Sequence, residues 1–190
     1  MPSLPLPPSV PASQVGRAAH DIGLAGLLGG QLFGRMALHP AVTRISDPRE
    51  RGEVVNAAWR RYGAVNGLGL LAVTGGWVGA RAAEAADRNL SPREERLARA
   101  RDALLALVFA GGVGNAVQGV RFARQGATPM LDGDTPAPDA APRAKRIKRT
   151  LNGLSLLSIG SELALVAVNA AFSQENFRRP PLRRRLLGAR

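Results

Sequence analysis

The stretch that decides the fold is residues 62–80, which read YGAVNGLGLLAVTGGWVGA and contain no Asp, Glu, Lys or Arg. A second uncharged run, ALLALVFAGGVGNAVQGV, covers residues 103–120. Residues 150–174 carry a single charge, Glu162, and residues 22–34 carry none. A membrane-spanning helix needs about 20 predominantly apolar residues, whereas a soluble amphipathic helix carries charges along its wet face. The four runs therefore predict four membrane spans.

The composition of the 190-residue chain narrows the classes of function. There are 26 Lys and Arg against 14 acidic residues, a net charge of +12, no Cys and only two His. The lack of Cys excludes a disulfide scaffold, Cys-ligated zinc and thiol catalysis. With so few ligand-forming side chains we predict no metal site and no cofactor, and no catalytic motif is recognisable. Nearly all the cations are Arg, which is typical of GC-rich, bacterial coding sequences.

A strongly basic chain ordinarily suggests a partner that is either nucleic acid or an anionic membrane surface. Here the basic clusters, at residues 143–149 and 178–190, lie beside predicted spans and are not interleaved with aromatic residues. Such clusters are typical of anchors to anionic lipid headgroups. We therefore predict a lipid bilayer with anionic headgroups as the partner, and no nucleic acid.

A soluble bundle of Gly- and Ala-rich buried helices is the alternative, and the mean hydropathy of −0.05 is low for a membrane protein. Most of the hydrophilic residues, however, lie in the Arg-dense connectors outside the four runs. Glycine costs about 1 kcal/mol in a soluble helix interior, but it is common in membrane helices and lets them approach closely. The pattern therefore favours membrane spans.

The predicted fold class is all-α, a four-helix transmembrane bundle with long second and third helices. Motifs in which a capping side chain precedes Pro and a Glu follows, Asp47-Pro48-Arg49-Glu50 and Ser91-Pro92-Arg93-Glu94, predict the starts of those two helices. The predicted boundaries are a disordered Pro-rich tail at 1–15, helices at about 16–39, 48–82, 92–125 and 144–175 in a membrane domain at 16–176, a flexible linker at 127–142 and a basic tail at 177–190.

Four spans place both termini and the connector around residues 83–91 on one membrane side, here called the termini side. The connectors around residues 40–47 and 127–142 lie on the other, the linker side. Each side carries 13 of the Lys and Arg residues, so the positive-inside rule returns a tie. The dense basic tail leads us to expect a multi-pass protein of the cell membrane with cytoplasmic termini.

Polar residues inside the predicted spans are the candidate functional residues, because polar groups in lipid are costly and often functional. At 100° per residue, one arc of the first helix carries His20, Asp21, Gln31, Arg35 and His39. Gln31 lies nearly level with Glu162. The candidate polar site comprises Glu162, Gln31, Arg35, Asn66, Asn115, Gln118, Ser155, Ser158 and Asn169. Two interpretations stay open: a polar cavity opening to the linker side, with Glu162 titrating, or interhelical hydrogen bonds with a structural role.

A second face of the first helix carries Gly26, Gly30 and Gly34, two overlapping GxxxG steps that predict close helix packing. The opposite face is expected to meet lipid and carries Ile22, Ala25, Leu32, Phe33 and Met36. Aromatic anchors at the membrane interfaces are predicted at the two ends of the second helix, namely Trp59, Tyr62 and Trp77.

The region from His20 to Tyr62 resembles small four-helix bacterial integral membrane families of unknown function, of the anthrone-oxygenase-like type. The resemblance is carried by His20, by Gly29-Gly30-x-x-Phe33, by Pro40 after the first helix, and by Arg60-Arg61-Tyr62 before the second span. It covers about a quarter of the chain and implies the four-span architecture. It assigns no catalytic residue.

The sequence predicts a multi-pass integral membrane protein that serves as a non-enzymatic scaffold or assembly component, associating with itself or with a membrane protein partner through the glycine faces. Two alternatives remain: transport of a small ligand or proton centred on Glu162, and a small membrane enzyme using the same polar site.

Overall fold

The computed structural model describes residues 12–82 and 90–178, with side chains for residues 14–82 and 90–175. Its four long helices are α1 (Ala12–Phe33), α2 (Pro48–Ala82), α3 (Pro92–Ala123) and α4 (Pro142–Arg178). Within these ranges there is no β-strand, only an isolated bridge between Met130 and Pro136. The all-α class with four helices is confirmed. The N-terminal tail was predicted to reach residue 15 but α1 begins at Ala12; residues 1–11 and 179–190 lie outside the described part.

Three of the helices are long and apolar enough to cross a membrane. They are Pro48–Ala82, Pro92–Ala123 and the part of α4 at Pro142–Glu175.

The start of α3 follows from the local sequence. Ser91 accepts a hydrogen bond from the backbone of Glu94 while the Glu94 carboxylate accepts one from the backbone of Ser91, a complete capping box.

The end of α1 is less regular than predicted. After Phe33 the backbone widens into a π-helical turn at Gly34–Leu38, in which the His39 N–H donates to the Gly34 carbonyl five residues back. Pro40 has no N–H and its ring crowds the carbonyl four residues earlier, so a regular helix cannot continue unchanged through it. Short α-helical and 3-10 turns, His39–Ala41 and Val42–Arg44, then lead into α2.

Helices α1 and α2 pack antiparallel along nearly their whole length, because glycines remove the side chains that would hold them apart. A Cβ on Gly23 would lie 2.7 Å from the Gly69 carbonyl oxygen, and a Cβ on Gly30 would overlap the Tyr62 ring. The Tyr62 hydroxyl donates to the Gly26 carbonyl at 2.8 Å. The predicted packing glycines therefore face α2 of the same chain.

Helices α3 and α4 form a second antiparallel pair, and the two pairs meet along α1–α4 and α2–α3. Close approach at Gly111, whose Cβ would lie 2.6 Å from Ser158 Oγ, joins α3 to α4. The buried apolar residues where the pairs meet are Leu24, Leu27, Val73, Trp77, Ala98, Leu105, Val108, Leu165 and Phe172. Trp77 is 3% exposed, so its prediction as an interface anchor is wrong.

Residues 127–141, within the segment predicted as a flexible linker, are packed against the end of the first helix pair. Met130 is fully buried and its N–H donates to the Pro48 carbonyl at 2.8 Å. The Arg51 guanidinium donates to the Leu131 carbonyl at 2.8 Å and to the Ile45 carbonyl at 2.7 Å. The Pro-rich composition predicted flexibility because it lacks helix or strand periodicity, but these tertiary contacts give the loop a defined path.

We expect Gly30→Leu to destabilise the folded chain by about 1–3 kcal/mol, the usual range for overpacking, since the new side chain must displace Tyr62. Thermal unfolding in detergent micelles measures the effect. Gly67→Leu is the matched control, because nothing lies within 4 Å of a Cβ there. Equal melting temperatures for the two variants would contradict the glycine-packed α1–α2 contact.

Candidate functional site

The centre of the predicted polar site is built where α1 meets α4. Gln31 Nε2 donates to Glu162 Oε1 at 3.1 Å, and Ser155 Oγ donates to Gln31 Oε1 at 2.9 Å. One amide side chain from α1 thus joins two residues of α4 that are two helical turns apart. Glu162 is 2% exposed. The juxtaposition of Gln31 with Glu162 that the antiparallel depths predicted is present in the structure.

A neighbouring contact joins α3 to α4. Asn115 Nδ2 donates to Ser158 Oγ at 3.2 Å, and Ser158 is fully buried. Ser158 precedes Glu162 by one helical turn on the same face of α4. The two contacts make a continuous polar strip that links α1, α4 and α3 in mid-bundle.

Asn169 belongs to a second polar contact between α1 and α4, nearer the termini side. Its Nδ2 lies 3.1 Å from His20 Nε2, and His20 Nδ1 lies 2.7 Å from the Val73 carbonyl oxygen. A neutral imidazole protonated on Nδ1 satisfies both contacts, donating to Val73 and accepting from Asn169. His20 was placed in the polar arc of the first helix but was not included in the candidate site, although it is the residue that connects Asn169 to α2.

Besides Asn169, three candidate residues lie outside this strip. Asn66 and Gln118 are half-buried and form no hydrogen bond to it within the described ranges; Asn66 Oδ1 is buried without a hydrogen-bond partner. Arg35 points to the linker side, where its guanidinium lies 3.9 Å from Asp134 Oδ2. The loop of residues 127–141 is held at this end of the bundle, on the side toward which the sequence analysis expected a polar cavity to open.

The loop of residues 127–141 is held by a charged cluster around Asp134, which the sequence analysis did not predict. Asp134 Oδ2 lies 3.0 Å from His39 Nδ1, and Asp134 Oδ1 lies 3.7 Å from Lys148 Nζ. Trp59 Nε1 donates to His39 Nε2 at 3.1 Å, and Asn152 Nδ2 donates to the Asp134 carbonyl at 3.0 Å. The cluster joins the loop to α2, α4 and the end of α1.

The ionisation of Asp134 follows from this environment. Burial by itself would raise the pKa of the Asp134 carboxyl. The contact with His39 and the positive charges of Lys148 and Arg35 outweigh burial, and the pKa lies below its ordinary value. Asp134 is therefore a carboxylate at neutral pH and neutralises the cations gathered round it. No spacing pattern could identify it, because its partners come from three distant segments.

At the termini side, Arg101 covers the end of the apolar core. Its guanidinium lies 3.7 Å from the centroid of the Trp77 ring and 5.3 Å from that of Phe172, close enough for cation–π attraction. Trp77 Nε1 donates to Asp102 Oδ1 at 2.6 Å, and Arg81 forms a salt bridge to Asp102 at 3.2 Å. These contacts tie α2 to α3 where the two pairs emerge from the predicted spans.

An open groove of about 340 Å³ runs along the outside of the contact between α1 and α4. Its lining residues are Asp21, Leu24, Ala25, Leu28, Val166 and Asn169. It occupies the termini-side half of the bundle, whereas the sequence analysis expected a cavity on the linker-side half. Glu162 is one turn beyond Val166 and does not line it.

The chemistry available in mid-bundle is that of one buried carboxyl group surrounded by amides and hydroxyls. Glu162 Oε2 is buried and has no hydrogen-bond partner in the described part of the chain. Among those same residues, no group of three or more His, Asp or Glu is placed to hold a metal ion. The arrangement can cross-link helices, and its carboxyl group can hold a proton.

We expect Asp134→Asn to loosen the loop of residues 127–141, because the cations around it lose their counter-charge. A carboxyl whose folded-state pKa is lowered contributes stability that is complete above its unfolded pKa of about 4 and is lost as the pH falls through the folded value. The protection of the loop's amides, measured as the intrinsic exchange rate at each pH divided by the observed rate, should therefore fall in the wild-type chain on acidification. In the variant it should be low and less dependent on pH. Asp139→Asn, at an exposed position of the same loop, is the control; an equal effect of both substitutions would contradict the assignment.

No protein-family model matches the chain, and comparison with curated proteins and with solved structures gives no significant match.

Proposed function

We propose that the chain is an integral membrane protein whose four helices cross the bilayer. The observation that carries the proposal is the distribution of apolar side chains: Ile22, Met36, Leu68 and Leu71 are 68–76% exposed. The exposed large apolar residues continue on the outer faces of α3 and α4, among them Leu107, Phe109, Val113, Val117, Val120, Leu156, Leu157, Leu163 and Val166. A soluble protein rarely exposes contiguous apolar surface of this extent.

Buried polar side chains support the same proposal, because several polar residues of the apolar helices lie inside the bundle. His20, Ser158, Ser161 and Glu162 are all at most 5% exposed. In hydrocarbon a polar side chain has no solvent partner, so it turns toward other helices. An apolar exterior round a partly polar interior fits a lipid environment better than water.

Helix α1 is included as a span because of its position. It contacts α2 from Gly16, whose Cβ would lie 3.9 Å from Gly76, to Gly34, whose Cβ would overlap the Trp59 ring. A helix packed along most of a spanning helix must lie at the same depth in the bilayer. Its outward residues Ile22 and Phe33 are more than 60% exposed, as the predicted lipid-facing side requires.

Within the membrane, we propose a non-enzymatic role as a scaffold or assembly component. Gln31, Ser155, Ser158 and Asn115 are engaged in hydrogen bonds between helices, which suits a rigid helical platform. Self-association or contact with a membrane protein partner must use faces other than Gly30, since that face is covered by α2. Arginine-rich ends at both membrane surfaces would hold the platform against anionic headgroups.

Proton binding is the second candidate function, and one observation favours it. Glu162 has one carboxyl oxygen paired with Gln31 and the other buried without a partner. Buried carboxyl groups inside a membrane are frequent elements of proton relays. The resemblance to four-helix bacterial membrane families is compatible with either role, and a membrane enzyme remains the third possibility.

Glu162→Gln separates the first two roles, because glutamine keeps the size and can still accept from Gln31 but cannot release a proton. Under the scaffold proposal the variant stays in carbonate-washed membranes in normal amount and the cellular phenotype of a deletion strain is restored. Loss of complementation with normal membrane levels would contradict the scaffold role and favour proton binding. Ser161→Ala, one residue earlier and also buried, is the matched control. Release of the wild-type chain by carbonate would contradict the membrane assignment itself.

A further inference from the structure

His39 lies where the π-helical end of α1, helix α2 and the loop of residues 127–141 meet. Its ring packs against Gly133 of the loop, since a Cβ on Gly133 would overlap it, and the Gly133 N–H donates to the His39 carbonyl at 3.1 Å. The ring also meets Trp59 of α2 edge-on, with the two ring centroids 5.8 Å apart. Because His39 is 8% exposed, the partners of its ring nitrogens come from the protein.

The two ring nitrogens face groups of opposite character. Nε2 of His39 accepts the hydrogen bond that Trp59 Nε1 donates at 3.1 Å, and Nδ1 lies 3.0 Å from Asp134 Oδ2. An indole nitrogen can only donate, so Nε2 of His39 carries no proton in this arrangement. The imidazole is therefore neutral, and its one proton is on Nδ1, beside the carboxylate.

A second proton on the ring is incompatible with the contact to Trp59. It would bind Nε2 and set an N–H group against the indole N–H, so the hydrogen bond between the rings would be lost. The imidazolium would be attracted to the Asp134 carboxylate more strongly than the neutral ring is. Histidine is the side chain whose charge ordinarily changes between pH 5 and 8, so acid can act on this contact.

The charged side chains near the ring come from three parts of the chain. Asp134 of the loop favours the imidazolium. Two cations oppose it: Lys148 of α4, whose Nζ lies 3.7 Å from Asp134 Oδ1, and Arg35 of α1, 3.9 Å from Asp134 Oδ2. Asp132 of the loop lies within electrostatic range of Lys148, and the contact from α2 is the neutral Trp59 ring. Removing one of the two cations should therefore make the imidazole easier to protonate.

We propose that His39 is a pH-operated latch between the end of α1 and helix α2. In its neutral form it holds Trp59, whose ring also fills the space over Gly34 of the π-helical turn. In its protonated form it releases Trp59 and stays with Asp134 of the loop. Acid thereby weakens the link between the end of α1 and α2 while the link to the loop is kept. The latch does not depend on the membrane placement of the helices.

The test uses the full-length chain in detergent micelles with isotopically labelled tryptophan. The chain contains two Trp residues, so its nuclear magnetic resonance spectrum shows two indole N–H signals, which Trp59→Phe assigns. We expect the Trp59 signal to move upfield between pH 8 and pH 5, because its N–H loses an acceptor. The Trp77 signal is the internal control and should stay in place, since Trp77 Nε1 donates to Asp102 Oδ1 at 2.6 Å and not to a histidine.

Three variants assign the transition to His39. In His39→Gln the amide oxygen can accept from Trp59 but cannot change its charge, so the Trp59 signal should stay constant over this range. His20→Gln removes the other histidine and should leave the transition unchanged. Lys148→Met should move its midpoint to higher pH, because a cation beside Asp134 is lost.

A Trp59 signal that stays constant in the wild-type chain between pH 8 and pH 5 would overturn the proposal. So would a signal that moves equally in His39→Gln, because the titrating group would then be another one. An unchanged midpoint in Lys148→Met would contradict the charge balance around Asp134 on which the latch depends.

Discussion

If the four helices cross a bilayer, as we propose, the surrounding hydrocarbon offers no hydrogen bonds, and this constraint would account for the polar side chains that lie between the helices. The contact between Gln31 and Glu162 is its clearest expression, because it brings the most costly group of α4 to the one amide of α1 at the same depth. Ser155 completes the amide's hydrogen bonds from the other side. Interhelical hydrogen bonds of this kind average about 0.6 kcal/mol in membrane proteins and rarely exceed 2, so the contact orients the pairs more than it stabilises them.

Close packing at glycines holds the two helices of each pair together. Glycines at the α1–α2 contact bring the backbones together at Gly23 and Gly69, and Tyr62 and Trp59 fill the spaces over Gly30 and Gly34. Packing of small residues is the main source of helix association where lipid and side chains are equally apolar. The contacts of Gln31 with Glu162 and of His20 with Asn169 join the two pairs, and the loop of residues 127–141 holds the linker-side ends through Asp134 and Arg51.

Much of this could be predicted from the sequence, because charge spacing and helical periodicity are local properties. The uncharged runs predicted the helices, and Ser91 and Glu94 predicted the start of one of them. The equal depths of Gln31 and Glu162 in antiparallel helices predicted their contact. The role of Gly30 in packing was predictable, but its partner was not, since the same glycine face suits another helix of the chain or a second molecule. The cluster at Asp134 was not predictable, because His39, Lys148 and Trp59 reach it only through the tertiary fold.

The central claim, that these helices span a bilayer, is tested most directly by labelling single cysteines introduced into this naturally Cys-free chain. A membrane-impermeant maleimide applied to intact cells should label only one of Asp139→Cys and Arg96→Cys, because these exposed positions lie at opposite ends of the bundle. Leu68→Cys, which is 70% exposed on the surface of the protein, should stay unlabelled even in permeabilised cells, since lipid covers it. Labelling of Leu68→Cys as fast as the other two would contradict a membrane-spanning bundle.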